Sequence, residues 1–227
     1  MKKYAVIVAG GAGHRMGTQV PKQFLLLRGK PVLWHTLHAF LGAYEDLEIV
    51  LVLPEEHRET GRTMVNASGA PHRIRIVAGG ATRFDSVRHG LACIAPDEQA
   101  IVFVHDGVRC LVSRELIHRC YLKAVETGNA IPAIIPVDSM RMMTDSGYLA
   151  VERSKLRVIQ TPQTFTNAIL QAAYAQEYRE GFTDEGSVAE ADGVKINLVE
   201  GEATNIKITM PMDMVIAEEL IRVRGEE

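Results

Sequence analysis

The sequence is poor in cysteine, and its three cysteines do not form a disulfide or metal-binding pattern. Cys93, Cys110 and Cys120 are odd in number and widely spaced, and no CxxC pair is present. Disulfide-rich domains and structural zinc sites use paired or closely spaced cysteines. The sequence therefore argues against both classes and favours three reduced thiols.

Neither an excess of charge nor a long apolar segment is present. The formal net charge is -3 and the isoelectric point is near 6.3, so the chain has no general attraction to nucleic acids or acidic membranes. The apolar run at residues 130–137 is interrupted by Pro132 and Pro136, and it is much shorter than the roughly 20 residues of a membrane-spanning helix. We expect a cytoplasmic protein without a nucleic-acid or membrane partner, in which any affinity for phosphate must be local.

The sequence also lacks the best-known catalytic patterns of hydrolases. Its eight histidines show no HExxH spacing, and no Ser/His/Asp order stands out. These absences argue against a metalloprotease or a triad hydrolase.

Short apolar segments alternate with helical patterns along most of the chain. Strands are predicted at residues 6–8, 48–53, 74–77, 100–105, 130–135 and 194–199, and helices at 31–41, 55–67, 82–94, 113–127, 167–179 and from Pro211 onward. This alternation predicts an α/β fold with a Rossmann-like, doubly wound, mostly parallel sheet, whose ligands bind beyond the carboxyl ends of the strands. We expect a single domain over residues 1–227.

The alternation breaks between Asp138 and Arg157. Apolar residues such as Met140, Met142 and Tyr148 flank a turn at residues 145–147, which predicts a protruding β-hairpin. Because an isolated hairpin is unstable in water, we expect this arm, at about 138–157, to pack on a partner.

The first predicted strand ends in a glycine loop that carries two cations. Gly10, Gly11 and Gly13 allow the backbone to approach a ligand closely and to turn its N–H groups toward an anion. Arg15 then adds a planar guanidinium group to this stretch, and Lys22 adds an ammonium group on a flexible side chain. This combination favours a polyphosphate site over an ordinary turn with solvated charges.

Two better-known phosphate loops do not match this stretch. The dinucleotide fingerprint requires glycine at position 16, where the chain has Met16. The Walker A loop requires Gly-Lys-Ser/Thr, whereas Lys22 follows Pro21 and precedes Gln23.

The segments Ala-Gly-Gly-Ala-Gly-His-Arg-Met at 9–16 and Pro-Lys-Gln-Phe at 21–24 resemble the signature of sugar-phosphate nucleotidyltransferases. They are most similar to the 2-C-methyl-D-erythritol 4-phosphate cytidylyltransferase family. Six separated motifs follow the family order between Val6 and about Glu218. The resemblance implies the activity of that family, which joins CTP and the polyol phosphate to give the CDP-linked product and pyrophosphate, with Mg²⁺ as cofactor.

The resemblance also assigns roles to residues of this chain. The implied catalytic residues are Arg15, Lys22, Arg153 and Lys207; the nucleotide-binding residues are Ala9, Gly10, Gly11, Ala12, Gly13, Gly80, Ala81, Ser86 and Gly107; and the substrate-binding residues are Arg109, Thr161 and Thr183. Ala81 stands where several relatives carry an acidic residue, so a side-chain contact to the base is lost there. From residue type alone, Arg153 and Lys207 would be solvated charges, and the two threonines would be turn or cap residues.

Asp106 is the implied Mg²⁺ ligand. From position alone it could equally be a turn residue that bonds its own backbone, but His105-Asp106 followed by Arg109 resembles the family's His-Asp-Ala-Ala-Arg-Pro loop. Gly107 and Val108 replace the two alanines, and Cys110 replaces the proline. The residue at 107 therefore remains small, whereas the backbone turn after Arg109 loses the stiffness that proline would give it.

The implied chemistry needs cations rather than a general base. A phosphate monoester has a second pKa near 6, so the acceptor is already largely dianionic at neutral pH. The difficulty is to bring it to the α-phosphorus of a polyanion, which is a task of position and electrostatics. We assign Arg15 and Lys22 to stabilising the transition state and the leaving pyrophosphate, and Arg153 with Lys207 to binding the acceptor phosphate.

The resemblance further implies a homodimer with exchanged arms.

Three alternatives remain open at this stage. A ribitol-5-phosphate cytidylyltransferase shares the two N-terminal segments, although Arg153-Ser-x-Leu and Thr183-Asp-Glu favour the erythritol enzyme. A non-catalytic nucleotide-binding module would not need Arg15, Lys22, Asp106 and Lys207 together. An NAD oxidoreductase is disfavoured by Met16.

Overall fold

A central sheet with helices on both faces forms the body of the protein. The computed structural model describes residues 1–11, 17 and 20–225. The strands of the main sheet are β1 (Lys2–Val8), β4 (Leu47–Leu53), β5 (Ile74–Ala78), β6 (Ala100–Asp106), β7 (Asn129–Ile134), β10 (Val158–Ile159), β11 (Gln163–Thr166) and β12 (Leu198–Glu200). The helices are α1 (Val32–Leu41), α2 (Arg58–Asn66), α3 (Arg83–Leu91), α4 (Arg114–Thr127), α5 (Asn167–Ala173), α6 (Glu185–Ala191) and α7 (Pro211–Arg224). Two small hairpins, β2 (Leu26–Leu27) with β3 (Lys30–Pro31) and β8 (Met140–Thr144) with β9 (Gly147–Val151), lie outside this sheet.

The strand order of the main sheet is β10-β7-β11-β6-β1-β4-β5, and β12 pairs with β7. β1 is parallel to both β4 and β6, and β4 is parallel to β5. β11 is antiparallel to β6 and β7, and β10 is antiparallel to β7. The predicted α/β class with a mostly parallel sheet is thus confirmed. From β1 the chain continues to β4 on one side and later returns to β6 on the other, so a topological switch point lies between β1 and β6.

The central strands are apolar on both faces because helices cover both sides of the sheet. Along β1, Ala5 and Ile7 face one core and Tyr4 and Val6 face the other. The first core is completed by α1 and α4 with Leu33, Leu37, Phe40, Leu116 and Ile117, and the second by α3 and α5 with Phe84, Val87, Leu91, Leu170 and Ala173. A smaller third core joins β2, α7 and the loop after β6. The cores fix the relative positions of the strand ends.

The β8–β9 hairpin occupies the region predicted to form an arm. Met142 lies opposite Leu149 and Met143 opposite Tyr148, so apolar side chains are present on both faces of the ribbon. All four are exposed, Met143 by 76% of its surface. Such a two-stranded ribbon is marginally stable on its own.

Three sequence expectations differ from the structure. The helix predicted over 167–179 ends at Ala173, and the last strand, predicted over 194–199, spans Leu198–Glu200. β11 is absent from the prediction because three of its four residues are polar.

Within the described residues, no helix is both long and apolar enough to cross a bilayer.

Candidate active site

A cleft of about 560 Å³ lies at the carboxyl ends of the parallel strands. Residues from the ends of β1, β4, β5 and β6 line it, together with Lys22 and Lys207 from elsewhere in the chain. Val8 and Asp106 are register partners in the adjacent strands β1 and β6, so the cleft opens at the topological switch point. Ligands of doubly wound sheets bind at this position.

Asp106 is the focus of charge in this cleft. Its carboxylate lies 2.8 Å from Lys207 Nζ, 3.3 Å from Arg83 Nη2 and 3.8 Å from Arg109 Nε. Burial acts to raise the pKa of Asp106, but the neighbouring charges of Arg83 and Lys207 outweigh it and hold that pKa well below its usual range. Asp106 is therefore a carboxylate at any physiological pH.

A buried His-Thr pair fixes the backbone beneath Asp106. Thr161 Oγ1 accepts a hydrogen bond from the Asp106 N–H at 3.1 Å and lies 2.9 Å from His105 Nδ1. The Arg109 carbonyl, 3.1 Å from Nε2 of His105, can only accept, so Nε2 carries the proton. Burial favours the neutral imidazole by lowering its pKa, and in that neutral form Nδ1 accepts from the Thr161 hydroxyl.

The pH dependence of stability should report on His105. Burial lowers the pKa of His105 to about 4, whereas an unfolded histidine titrates near 6.5. Between these values the unfolded chain binds the proton and the folded chain does not. His105 should therefore make the free energy of unfolding decrease by up to about 3 kcal/mol as the pH falls from about 6.5 to 4. Urea unfolding across this range should show a flatter profile for His105→Gln; an equally steep profile in that variant would contradict the assignment.

Lys22 reaches the cleft from a short 3₁₀ turn at Lys22–Phe24. The side chain is buried, and Nζ donates to the Ile208 carbonyl at 3.0 Å. Ile208 in turn bonds the Val108 carbonyl through its N–H. The loop before α7 and the loop after β6 therefore support the position of Lys22, and Gln23 adds a bond from its amide to the Ala9 carbonyl.

Two glycines are required by the packing around the cleft. A Cβ on Gly107 would lie 2.8 Å from Ala9 Cβ and 3.0 Å from Leu33 Cδ1, so the close approach of β1 and β6 depends on its absence. A Cβ on Gly80 would lie 2.3 Å from Asp85 Cβ. The Gly80 N–H donates to Ser86 Oγ, which donates to the Thr82 carbonyl, so Ser86 holds the loop that borders the cleft.

A charge network connects Asp106, through Arg83 in the lining of the cleft, to Glu185. Arg83 bonds both oxygens of Glu185, at 2.5 and 3.1 Å, and Tyr174 donates to the same carboxylate at 3.1 Å. Glu185 is fully buried. Arg83 begins α3 and Glu185 lies in the first turn of α6, so from local sequence each would be taken for a surface charge at a helix start. Nothing in their local pattern indicates the contact, since 102 positions separate them.

The structure brings most of the predicted site residues together. Lys22, Asp106 and Lys207 line the cleft with Ala9, Gly10, Gly11, Gly80, Ala81 and Ser86. Ala12, Gly13 and Arg15 lie outside the described residues. Gly107 and Thr161 lie directly behind Asp106, where they support it through the contacts described above.

Three predicted residues lie away from the lining of this cleft. Arg109 is largely buried and donates to the Asn205 carbonyl at 2.9 Å. Arg153 is exposed at the base of the β8–β9 hairpin, where it bonds the Val137 carbonyl. Thr183 is exposed next to the Asp184 cap of α6. Within one chain, Arg153 and Thr183 are therefore not part of the cleft wall.

The doubly wound sheet, with a cleft lined by glycines and lysines and a carboxylate at its switch point, has the features that a nucleotidyltransferase requires. The cations can hold phosphate groups, and the carboxylate can hold a divalent ion between them. A model of the IspD family, 2-C-methyl-D-erythritol 4-phosphate cytidylyltransferase, matches residues 4–223. The chain belongs to this family.

Individual relatives agree with the family match. The chain is 46% identical over 221 residues to the 2-C-methyl-D-erythritol 4-phosphate cytidylyltransferase of Bacteroides fragilis, covering 97% of this chain and 100% of the relative. Among solved structures, the 4-diphosphocytidyl-2C-methyl-D-erythritol synthase of Anaerococcus prevotii has a TM-score of 0.83 at 29% identity, covering 97% of this chain and 96% of that structure. The Thermus thermophilus cytidylyltransferase has a TM-score of 0.72 at 32% identity, covering 96% and 98%.

Proposed function

We propose that this protein transfers the cytidylyl group of CTP to 2-C-methyl-D-erythritol 4-phosphate and releases pyrophosphate, a step in isoprenoid precursor biosynthesis. The observation that carries the proposal is the convergence of Lys22, Asp106 and Lys207 on one cleft, within a chain of this family. The acceptor phosphate attacks the α-phosphorus, an oxygen–phosphorus bond forms, and the bond to the leaving pyrophosphate breaks. The cleft contributes position and positive charge rather than a proton acceptor.

The nucleotide is proposed to lie along the ends of β1, β4 and β5. Gly10 and Gly11 border the cleft on one side and Gly80, Ala81 and Ser86 on the other. In this pose the triphosphate lies at the first loop, where Lys22 and Arg15 act on the α-phosphate and the leaving group. The base then lies at the second loop, near the Gly80 backbone. Loops without bulky side chains permit this close backbone approach.

The residues at the cleft fit Mg²⁺. Among the described residues, no group of three or more His, Cys, Asp or Glu side chains could form a metal cage, and Asp106 is the carboxylate at the switch point. Mg²⁺ is commonly bound through one or two carboxylates together with substrate phosphates and water. When bound, the ion would neutralise phosphate charge. Asp106 is the residue that would hold it, and Lys207 would then be available for the acceptor phosphate.

The identity of the acceptor can be tested by assaying two candidate acceptors separately. Pyrophosphate release should be measured with CTP and either 2-C-methyl-D-erythritol 4-phosphate or ribitol 5-phosphate. We expect kcat/KM to be at least about 100-fold higher for the erythritol phosphate, since a site built to bond specific hydroxyls discriminates by several kcal/mol. A preference for ribitol phosphate would reassign the acceptor, and no release with either would favour a non-catalytic nucleotide-binding module.

A homodimer with exchanged β8–β9 arms is the proposed assembly. The arm exposes Met142, Met143, Tyr148 and Leu149, and Arg153 at its base lies away from the cleft of its own chain. If the arm of each chain packs on the other chain, Arg153 of one chain can complete the active site of its partner.

The cytoplasm is the proposed compartment, where CTP is available and the three free thiols stay reduced.

The dimer proposal predicts that a charge on the arm separates the chains. Leu149→Glu places a carboxylate on an apolar face, so analytical ultracentrifugation at micromolar concentration should show a shift from dimer to monomer, with kcat reduced at least about tenfold. Leu122→Glu is the matched control, because Leu122 is similarly exposed, at 53% against 55%, but lies on α4. A fully active monomeric wild-type protein would contradict the proposal.

A further inference from the structure

A second cleft, of about 680 Å³, lies between α1, the β2–β3 hairpin, the start of α4 and the end of α7. It shares no lining residue with the first cleft. Its volume is in the range typical of small-molecule sites, and the proposed reaction makes no use of it.

The second cleft is strongly cationic. Arg28, Lys30, Arg114 and Arg224 line it, whereas Glu115 is the one carboxylate among its described lining residues. Elsewhere, exposed arginines such as Arg62 and Arg222 pair with a glutamate three positions away. In the described part of the chain, Arg28, Lys30 and Arg114 make no such pair. A concentration of unpaired positive charge in a chain of net charge -3 favours an anionic ligand.

Arg28 occupies a backbone position that is poorly suited to arginine. It lies with Gly29 in the two-residue turn between β2 and β3, with φ of 50° and 76° respectively. Such turns prefer Asn-Gly, because asparagine tolerates positive φ better than a long side chain does. Among the described residues, Arg28 is the only non-glycine with positive φ. Arginine therefore occupies a position that lines the second cleft at a conformational cost that asparagine would largely avoid.

Trp34 lies in the wall of the second cleft and is the only tryptophan in the chain. Lys30 Nζ is 5.4 Å from the centroid of its ring, and the His38 ring stacks on it with centroids 3.5 Å apart. A ligand that draws Lys30 away would change the surroundings of the indole. We therefore expect Trp34 emission to change when this cleft is occupied.

We propose that the second cleft binds a small molecule carrying a diphosphate or triphosphate group. The guanidinium group of arginine can donate two parallel hydrogen bonds to a pair of phosphate oxygens, and the flexible lysine side chain adds a further positive charge. Cations from the hairpin, α4 and α7 surround a confined space, which suits one multiply charged group better than a single carboxylate. The confined volume and the negative net charge of the chain argue against a nucleic acid.

Inorganic tripolyphosphate is a suitable probe, titrated at constant ionic strength without Mg²⁺ while Trp34 emission is recorded. The first cleft must be controlled for, because Thr36 of α1 donates to the Gly107 carbonyl and could transmit a signal to Trp34. Lys22→Ala weakens phosphate binding at the first cleft only. Arg28→Asn removes a charge from the second cleft and suits the turn, Arg114→Gln removes another, and Arg62→Ala removes a cation elsewhere.

We expect a saturable emission change in the wild type, with the same dissociation constant in Lys22→Ala and Arg62→Ala. Binding should be at least about tenfold weaker, or about 1.4 kcal/mol, in both Arg28→Asn and Arg114→Gln. Circular dichroism establishes that each variant is folded. The proposal is overturned if the wild type shows no saturable change up to about 10 mM, ten times a 1 mM dissociation constant. It is also overturned if the change disappears in Lys22→Ala but persists in Arg28→Asn.

Discussion

Replacing Lys22 with alanine is expected to lower kcat by about 100- to 1000-fold, because it removes a buried cation that lines the cleft and that we propose stabilises the leaving pyrophosphate. The KM for CTP should also rise, but by a smaller factor than the fall in kcat, because in the proposed role most of the charge that Lys22 stabilises develops in the transition state. Steady-state pyrophosphate release, measured with CTP varied at a saturating concentration of the acceptor, gives both parameters. Turnover close to that of the wild type would show that Lys22 is not part of the catalytic machinery.

A matched control separates this loss from general damage. Lys123 lies on α4, where its ammonium pairs with Glu126, so Lys123→Ala removes an equal charge far from the cleft and should retain full activity. Lys22→Ala also loses the bond to the Ile208 carbonyl. Its thermal midpoint should therefore be recorded, and a folded but inactive protein is the expected result.

Asp106→Asn is the second substitution with a large expected effect. The amide keeps the size of the side chain but loses the charge that would hold Mg²⁺ and that now binds Lys207 and Arg83. Since metal charge stabilisation contributes several kcal/mol to phosphoryl-type transfer, kcat should fall at least about 100-fold. Binding of Mn²⁺ to the CTP complex, followed by electron paramagnetic resonance, should weaken in parallel.

The control for Asp106→Asn is Asp97→Asn, at an exposed loop position, which should alter neither turnover nor metal binding. Retention of tight Mn²⁺ binding by Asp106→Asn would place the ion on other groups. The variant should also be less stable than the wild type, because three cations would then surround a neutral amide.

The sheet could be predicted from the sequence where hydrophobic pattern alone determines structure. β1, β4, β5 and β6 are short apolar runs ending in glycine, proline or aspartate, and buried parallel strands have that pattern. β11 was missed because its environment is set by distant residues. Gln163 is buried through bonds to Asp184 and Gly186, and no local pattern encodes these partners.

The candidate site also has parts that local sequence predicts and parts that depend on contacts between distant residues. Asp106 and the glycine loops follow from strand ends that must meet at one edge of a parallel sheet. The proximity of Lys207 to Asp106 across 101 positions required family resemblance, because both residues look like ordinary charges locally. The contact of Arg83 with Glu185 was missed altogether, since a buried ion pair is specified only by tertiary packing.

Burial also changes what two predicted residues can do. Thr161 was predicted to bind substrate, but its hydroxyl already joins His105 to the Asp106 backbone. Arg109 similarly donates to the Asn205 carbonyl. Their geometry indicates that they position Asp106 and the neighbouring loops, and a substrate role for either stays a prediction.

A crystal structure with CTP and Mg²⁺ is the most direct test of the proposed cleft. We expect the triphosphate beside Gly10, Gly11 and Lys22, the base beside Gly80, and the ion on Asp106 with Lys207 released from that carboxylate. A nucleotide bound elsewhere, or an Asp106 still paired with Lys207 and without metal in the CTP complex, would contradict it.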